Sequence, residues 1–387
     1  MKRISDHVFA IPVVDNETDL FESLWPLDEG VNYNSYVVIG SEGAAIVDTV
    51  HENFFDEYLE ALKEIVDLEN VKYVVVNHVE PDHSSSLRLL LEHLQNAKVV
   101  ISKTGATLFN LPGEVLPVEE GNEISLGDVT LRFLMTPWTH WPETMVTYVP
   151  EDGVVFTCDL FGAYGAYPNL GAEDQDGYLL EARRYYVTVL SKYAKFVNSA
   201  TAKIRSLNPK ILAPGHGIVY SGDSLVQILD LYSDWSSGHR EGRALILYGS
   251  MYGSVYDKVH TLLHLLEAEG VEVDALDLSR EDWSYAMTFV LGADVVVIAY
   301  PTYDADVFPP VKYFLQTVLD KGLLDGRALY VIEAHGWSSS EQKIRALLDG
   351  KDIRRVLSFS QKQPLKISDL ENLAAEIAAI LGGSEQT

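Results

Sequence analysis

Val75-Val76-Asn77-His78-Val79-Glu80-Pro81-Asp82-His83-Ser84 is an apolar run that breaks into a cluster of polar side chains. Val71 and residues 73–76 predict a buried strand, and His78, Glu80, Asp82 and His83, all able to ligate a metal, follow within six positions. Strand ends are where sites are commonly built. In such a turn His78, Glu80 and Asp82 project to one side, while Asp82 and His83 sit together at the start of a helix expected over residues 84–95. One ion does not comfortably take all four from so short a loop, so the natural reading is two metals sharing it. Imidazole suits zinc, copper, iron and nickel, whereas carboxylates are harder donors. The mixture fits a redox iron at least as well as zinc.

Composition bounds the reading. A chain of 387 residues with 47% hydrophobic and 22% charged residues is long enough for two domains with full cores. The net charge of -28, from 57 acidic against 29 basic residues, argues against nucleic acid or an anionic membrane as partner, because both would repel it. The single cysteine, Cys158, excludes an intramolecular disulfide framework, a four-cysteine iron–sulfur site and a fused rubredoxin. Met1-Lys2-Arg3-Ile4-Ser5-Asp6-His7 lacks the apolar core of a signal peptide, and no run reaches the roughly 18 apolar residues of a membrane span. A cytoplasmic protein is expected.

Taken in order, residues 34–39 and 44–48 predict a hairpin, residues 54–66 an amphipathic helix, and residues 98–102 a strand. Short β segments follow at 129–135, 144–149 and 154–157, then helical stretches at 178–198 and 199–207. This is an α/β sandwich pattern rather than a purely parallel sheet. Three further candidate ligands stand at strand ends. His140 lies in Thr136-Pro137-Trp138-Thr139-His140-Trp141-Pro142, Asp159 follows Val154-Val155-Phe156-Thr157-Cys158, and His216 stands in Pro214-Gly215-His216-Gly217, where glycines allow close backbone approach. Seven ligands for two metals, with Asp159 bridging, leave an open position for a small molecule, as catalytic metal sites require.

The order His-x-Glu-x-Asp-His, then His140, Asp159 and the Pro-Gly-His-Gly of His216, resembles the metallo-β-lactamase fold. Glu80 stands where the zinc hydrolases of that fold usually place a histidine. With Trp138-Thr139-His140-Trp141-Pro142-Glu143-Thr144-Met145 and Cys158-Asp159-Leu160-Phe161-Gly162, this substitution resembles the flavodiiron proteins, or A-type flavoproteins. The resemblance implies an α/β chain in which an N-terminal metallo-β-lactamase-like αββα sandwich (residues 1–240) is followed by a flavodoxin-like doubly wound five-stranded parallel sheet (residues 241–387). By position it implies one iron on His78, Glu80 and His140, a second on Asp82, His83 and His216, and Asp159 between them. Some relatives carry another histidine near the start of the chain. Residues 19–33 contain none, and Tyr33 and Trp141 are expected as packing.

The second half meets the demand this makes. Residues 244–248, 271–276, 294–300, 328–333 and 353–357 are short apolar runs separated by helical ones, the element count of a sheet that binds FMN outside its strand carboxyl ends. Ser250, Met251, Tyr252, Gly253, Ser254 and Val255 form a loop before a helix, suited to a phosphate. The resemblance assigns Pro301, Thr302, Tyr303, Asp304, Ala305 and Asp306 to one side of the flavin, and His335, Gly336, Trp337 and Ser338 to the other. Val255 replaces a threonine common in flavodoxins, and His335 replaces a smaller residue.

The implied cofactors are FMN and two Fe ions per chain, with electrons passing from an external reductase through FMN to the irons. O2 would be reduced to water or NO to nitrous oxide. The implied donor is rubredoxin or a flavin- or F420-linked reductase, since the chain ends at Thr387 directly after a final helix expected over 367–381. A head-to-tail homodimer, or a dimer of dimers, would set one subunit's FMN beside the other's irons. Two other classes are a zinc hydrolase of the same fold, disfavoured by Glu80, and a flavin electron-transfer protein with a silent metal site.

Overall fold

The computed structural model describes residues 1–382 and divides into two compact units, Met1–Ser237 and a second from Gly238 onward. The first unit is built on two facing sheets. One has seven strands in the order Lys2–Arg3, Val8–Asp15, Val31–Gly40, Gly43–Val47, Val71–Val76, Lys98–Ser102, Glu114–Val118. The other has six: Glu123–Ser125, Thr130–Met135, Met145–Val149, Val154–Cys158, Ile211–Pro214, Tyr220–Ser221. Alternating side chains of both meet in one core, where Tyr36, Val38, Val47, Val75 and Val100 from the first sheet pack with Leu131, Phe133, Met145, Phe156 and Ala213 from the second. The helix Phe55–Ile65 lays Phe55, Tyr58, Leu59 and Leu62, spaced as one apolar stripe, against the unit.

Parallel pairing is what positions the site. Val71–Val76 runs parallel to both of its neighbours, and Val154–Cys158 runs parallel to Ile211–Pro214 with Cys158 opposite Pro214. Their carboxyl ends therefore deliver residues 78–83, Asp159 and His216 to common edges of the two sheets.

The helix expected over residues 84–95 is two pieces, Pro81–Ser84 and Leu87–His93, the first opening on Pro81, which lacks an N–H to lose at that position. The helices expected at 178–198 and 199–207 divide elsewhere. Gln175–Tyr185 runs into a π-turn over Tyr186–Leu190 and a tight turn at Ser191–Tyr193 before Ala194–Ser206. The strands Val8–Asp15, Glu114–Val118 and Glu123–Ser125 lie outside the expected set. Pro12 explains the first: proline argues against a central strand, but here Lys2–Arg3 covers only Phe9 and Ala10, so Pro12 meets no partner on that side.

The second unit is a five-stranded sheet, wholly parallel, in the order Val273–Asp277, Arg243–Tyr248, Ala293–Pro301, Ala328–Ala334, Asp352–Phe359. Ala244, Ile246, Val295 and Val297 pack on the helices Tyr256–Ala268 and Ile367–Gly382. The alternate residues Leu245, Leu247, Val296 and Ile298 are buried too, as a sheet covered on both faces requires. Strand order reverses between Arg243–Tyr248 and Ala293–Pro301, which places the crevice of this fold between the loops that follow them.

Candidate metal centre

All seven expected donors converge. His78 Nε2 lies 3.1 Å from Glu80 Oε2, 3.2 Å from His140 Nε2 and 3.4 Å from Asp159 Oδ2. His140 Nε2 closes this group at 3.0 Å from Glu80 Oε2 and 3.1 Å from Asp159 Oδ2. In the second group His83 Nε2 is 3.5 Å from Asp82 Oδ2 and 3.0 Å from Asp159 Oδ1, and His216 Nε2 is 3.3 and 3.4 Å from the same two oxygens. Asp159 thus offers one carboxylate oxygen to each group. Donors held 2.0–2.2 Å from a common ion stand roughly 3 to 3.5 Å apart around it, which is the spacing seen.

The donor chemistry fits an oxygen- and imidazole-liking metal. His216 Nε2 is buried without a hydrogen-bond partner, a cost that an ion held in its group would remove. Cys158 sits beside His83 and Asp159, and burial, reinforced by Asp48 and Asp159, pushes its thiol well above the usual range in the metal-free protein.

Neighbouring groups aim the imidazoles. Glu143 Oε1 accepts from His78 Nδ1 at 2.7 Å, and the Asn32 carbonyl accepts from His216 Nδ1 at 2.7 Å, so each Nε2 is turned to the cluster. Tyr185 donates its hydroxyl to Asp159 Oδ1 at 2.8 Å. Trp141, expected as packing, stands edge-on to His78 at 5.1 Å. Tyr33 packs against His216 at 5.8 Å and also lines a cavity of about 280 Å³ with Phe21, His51, Glu80 and Asp82. Glu143, Tyr185 and His51 were not singled out from sequence. For Glu143 a signal exists: it falls three residues after His140, in the quoted Trp-Thr-His-Trp-Pro-Glu motif. Glu143→Gln frees His78 Nδ1 from a carboxylate while keeping its shape, and the expected result is a 10- to 100-fold fall in metal affinity by chelator competition.

Four imidazoles and four carboxylates, Glu143 included, share this largely buried space. Burial works against every charge, but for His78 the hydrogen bonds to Glu143 and Glu80 outweigh it, and the ring is pushed up to about 10. His216 rises to about 10, and His83 and His140 to about 9, against the same opposition from burial, through the Asp82, Asp159 and Glu80 carboxylates. Burial also opposes ionisation of Asp82, yet the charges of His83 and His216 bring it down to about 2. Protons and metal therefore compete for the same nitrogens. Ferrous ion affinity, measured anaerobically, is expected to rise with pH between 6 and 8, by up to about tenfold per unit for each proton displaced. The metal-free protein runs the other way: each raised imidazole stabilises fully below about 6.5, and that stability is lost as pH climbs through 9 and 10.

The second unit carries a cavity of about 680 Å³ at its strand ends, lined by Met251, Tyr252, Ser254, Pro301, Thr302, His335 and Gly336 of the expected residues. Lys258, Ala334 and residues 359–362, 364 and 365 complete it and were not foreseen. Tyr252 and Gly253 both take positive φ, 54° and 75°, which makes a tight turn of the loop before the helix Tyr256–Ala268. Ser250 Oγ is buried without a partner. Trp337 is exposed beside the cavity, and neither it nor Ser338 is in the wall. Val255 is fully buried in the core, so only its backbone faces the loop. Tyr303, Asp304, Ala305 and Asp306 turn back on themselves through a Tyr303–Asp306 bridge, and Asp306 pairs with Lys312 at 2.7 Å, outside the cavity wall.

A family model described as the ODP family beta lactamase matches residues 31–217. The chain is 30% identical over 353 residues to a nitric oxide reductase from Moorella thermoacetica, a match covering 88% of this chain and 87% of that one. It is 30% identical over 343 residues to an oxidase of reduced coenzyme F420 from Methanothermobacter marburgensis, covering 85% and 83%. Among solved structures, a point mutant of the flavo di-iron protein from Thermotoga maritima superposes with a TM-score of 0.89 at 28% identity, over 97% of this chain and 96% of that one. A metallo-β-lactamase-like unit carrying a paired His, Glu and Asp cluster, followed by a flavodoxin-like parallel sheet, completes the correspondence, and the chain belongs to the flavodiiron protein family.

Proposed function

We propose that the chain is an oxidoreductase that reduces O2 to water or NO to nitrous oxide at a diiron centre, with electrons from an external donor arriving through FMN. The observation that carries this reading is the division of seven donors, five buried and two (Glu80 and Asp82) partly buried, into two groups joined through the two oxygens of Asp159. His78, Glu80 and His140 would hold one iron and Asp82, His83 and His216 the other, with Asp159 shared. Bound there, an iron pair would supply electrons and Lewis acidity toward a diatomic, and FMN in the second unit would supply the electron relay.

The chain's own residues shape what enters. The cavity of about 280 Å³ admits a diatomic to the Glu80 and Asp82 side of the cluster, and Leu20 and Phe21 give it an apolar wall. Tyr33 keeps its hydroxyl proton: burial above all, then the charges of Asp82 and Asp15, raises it far above its ordinary value. In the second unit, the loop at Ser250 to Ser254 would take the phosphate, with Thr302 and His335 beside the flavin ring. Rubredoxin or an F420-linked reductase is the proposed donor, a head-to-tail homodimer or dimer of dimers the proposed assembly, and the cytoplasm the proposed location. Among the described residues no helix is long and apolar enough to cross a membrane.

Anaerobic purification with iron and FMN quantitation, followed by turnover with O2 and with NO under one donor system, tests this. Two irons and one FMN per chain with gas consumption are expected. Zinc in place of iron with hydrolytic activity, or FMN without gas consumption, would overturn it.

A further inference from the structure

The sheet of the second unit hides a carboxylate for which electron transfer has so far given no role. Glu333, at the carboxyl end of Ala328–Ala334, is fully buried, and all of its partners are neutral hydrogen-bond donors. Its Oε1 accepts from Thr302 Oγ1 at 2.8 Å, from Ser340 Oγ at 2.7 Å and from the Ser340 amide. Its Oε2 accepts from Ser339 Oγ at 2.6 Å and Ser358 Oγ at 2.7 Å. Five donor contacts on two oxygens favour the ionised form: burial opposes the charge, but the hydrogen bonds from Ser339, Ser358 and Ser340 outweigh it and hold the carboxyl below its usual range.

These bonds reach the walls of the 680 Å³ cavity. Thr302 belongs to the wall, Ala334 and His335 follow Glu333 directly in the chain and belong to it as well, and Ser358 in turn meets His335 Nδ1 at 3.1 Å. One anion therefore ties three strand ends, those of Ala293–Pro301, Ala328–Ala334 and Asp352–Phe359, immediately behind the cavity. No cation neutralises it in any of these contacts.

We infer that Glu333 is a positioning residue that fixes the flavin cavity and, as an uncompensated buried anion behind its wall, lowers the midpoint potential of FMN bound there. The inference rests on the flavin reading above. Reduction adds electrons to the flavin, and a fixed negative charge nearby in a medium of low polarity opposes that addition. The flavin is thereby made a stronger donor.

The test is a spectroelectrochemical titration of the full-length, FMN-loaded protein, with FMN affinity measured in parallel by fluorescence. Glu333→Gln keeps the shape and removes the charge, so the midpoint potential is expected to move up, with the oxidised-to-reduced ratio at the wild-type midpoint falling roughly tenfold. Ser339→Ala keeps the charge and withdraws one donor dipole from it, so the potential is expected to move down. Opposite shifts support the inference. Shifts of the same sign in the two variants mark loosened loops rather than charge, and they overturn it, as does an unchanged potential in Glu333→Gln. If Glu333→Gln does not fold, the Ser339→Ala shift decides alone, and a rise or no change overturns the inference. A wild-type chain that takes up no FMN overturns the flavin reading itself, and this inference with it.

Discussion

Asp159→Ala is expected to strip both irons and end gas reduction while leaving FMN content at the wild-type level. The reason is its double engagement: Oδ2 sits 3.1 and 3.4 Å from His140 and His78, and Oδ1 sits 3.0 and 3.4 Å from His83 and His216. Among the described residues no other side chain touches both groups through separate oxygens. Removing it takes a donor from each ion and leaves four buried imidazoles facing Glu80 and Asp82 alone. The residual carboxylates are too few to balance two divalent ions, and the four rings, no longer drawn to Asp159, lose part of the charge that raised them. The flavin cavity lies in the other unit, so its occupancy serves as the internal control. Metal analysis of the anaerobically purified variant checks the expectation, and two tightly held irons with undiminished turnover would refute the paired-iron reading. Asp159→Asn keeps one neutral oxygen donor, and its expected iron content lies between those of Ala and wild type.

Much of this centre was legible because ligand type and strand ends coincide. His78, Glu80, Asp82 and His83 lie in one loop, and His140, Asp159 and His216 each follow an apolar run, so sequence position alone placed them near sheet edges. What sequence did not carry is the support around them. Glu143 and Tyr185 reach His78 and Asp159 across 65 and 26 residues, and a glutamate or tyrosine in a turn or helix looks like any other until the fold brings it there. His51 joins the cavity beside Tyr33 from the segment after Gly43–Val47, at a spacing from Tyr33 and from Glu80 that carries no motif.

The flavin half was legible as a fold and less so as a site. Five apolar runs alternating with helices predict the parallel sheet because strands buried on both faces are near-continuously apolar. The loops after those strands obey local turn chemistry instead. Residues 303–306 fold back on themselves through the Tyr303–Asp306 bridge, and Val255, beside the phosphate loop, is drawn into the apolar core, both decided by packing that no motif encodes. Residues 359–362, 364 and 365, which complete the cavity wall, carry no motif at all. Glu333 sits in an otherwise apolar strand, and the sequence alone gives it no partner, because Thr302, Ser339, Ser340 and Ser358 converge on it only after parallel pairing.

Gly215→Ala is expected to cost one iron of the two and with it gas reduction, although it alters no ligand. A Cβ at position 215 would stand 2.6 Å from His83 Cε1, 3.2 Å from His83 Nδ1 and 3.4 Å from the Cys158 carbonyl carbon. The backbone there does not require glycine's left-handed freedom, so the conflict is purely one of space. Neither side can yield cheaply. Gly215 is fixed by its N–H, which donates a hydrogen bond to the Cys158 carbonyl at 2.7 Å, and by its own carbonyl, which accepts from the Asn34 amide at 2.8 Å. His83 is fixed by its carbonyl, which accepts from Thr49 Oγ1 at 2.7 Å, and its ring lies against that of His216 at 4.8 Å. Overpacking of this kind costs about 1–3 kcal/mol, and the imidazole, being the only part with a rotatable bond, takes most of the displacement. The ring then leaves the Asp82, His83 and His216 group, while His78, Glu80 and His140 stay in place. One iron per chain is expected in the purified variant, with affinity at the second position down by roughly 100-fold and O2 or NO consumption lost, since reduction of a diatomic between two ions needs both. Gly171→Ala, where an added Cβ meets nothing within 4 Å, is the matched control and keeps both irons. If Gly215→Ala also kept two irons at wild-type affinity, His83 would have no place among the ligands, and the second iron would rest on Asp82, His216 and Asp159 alone.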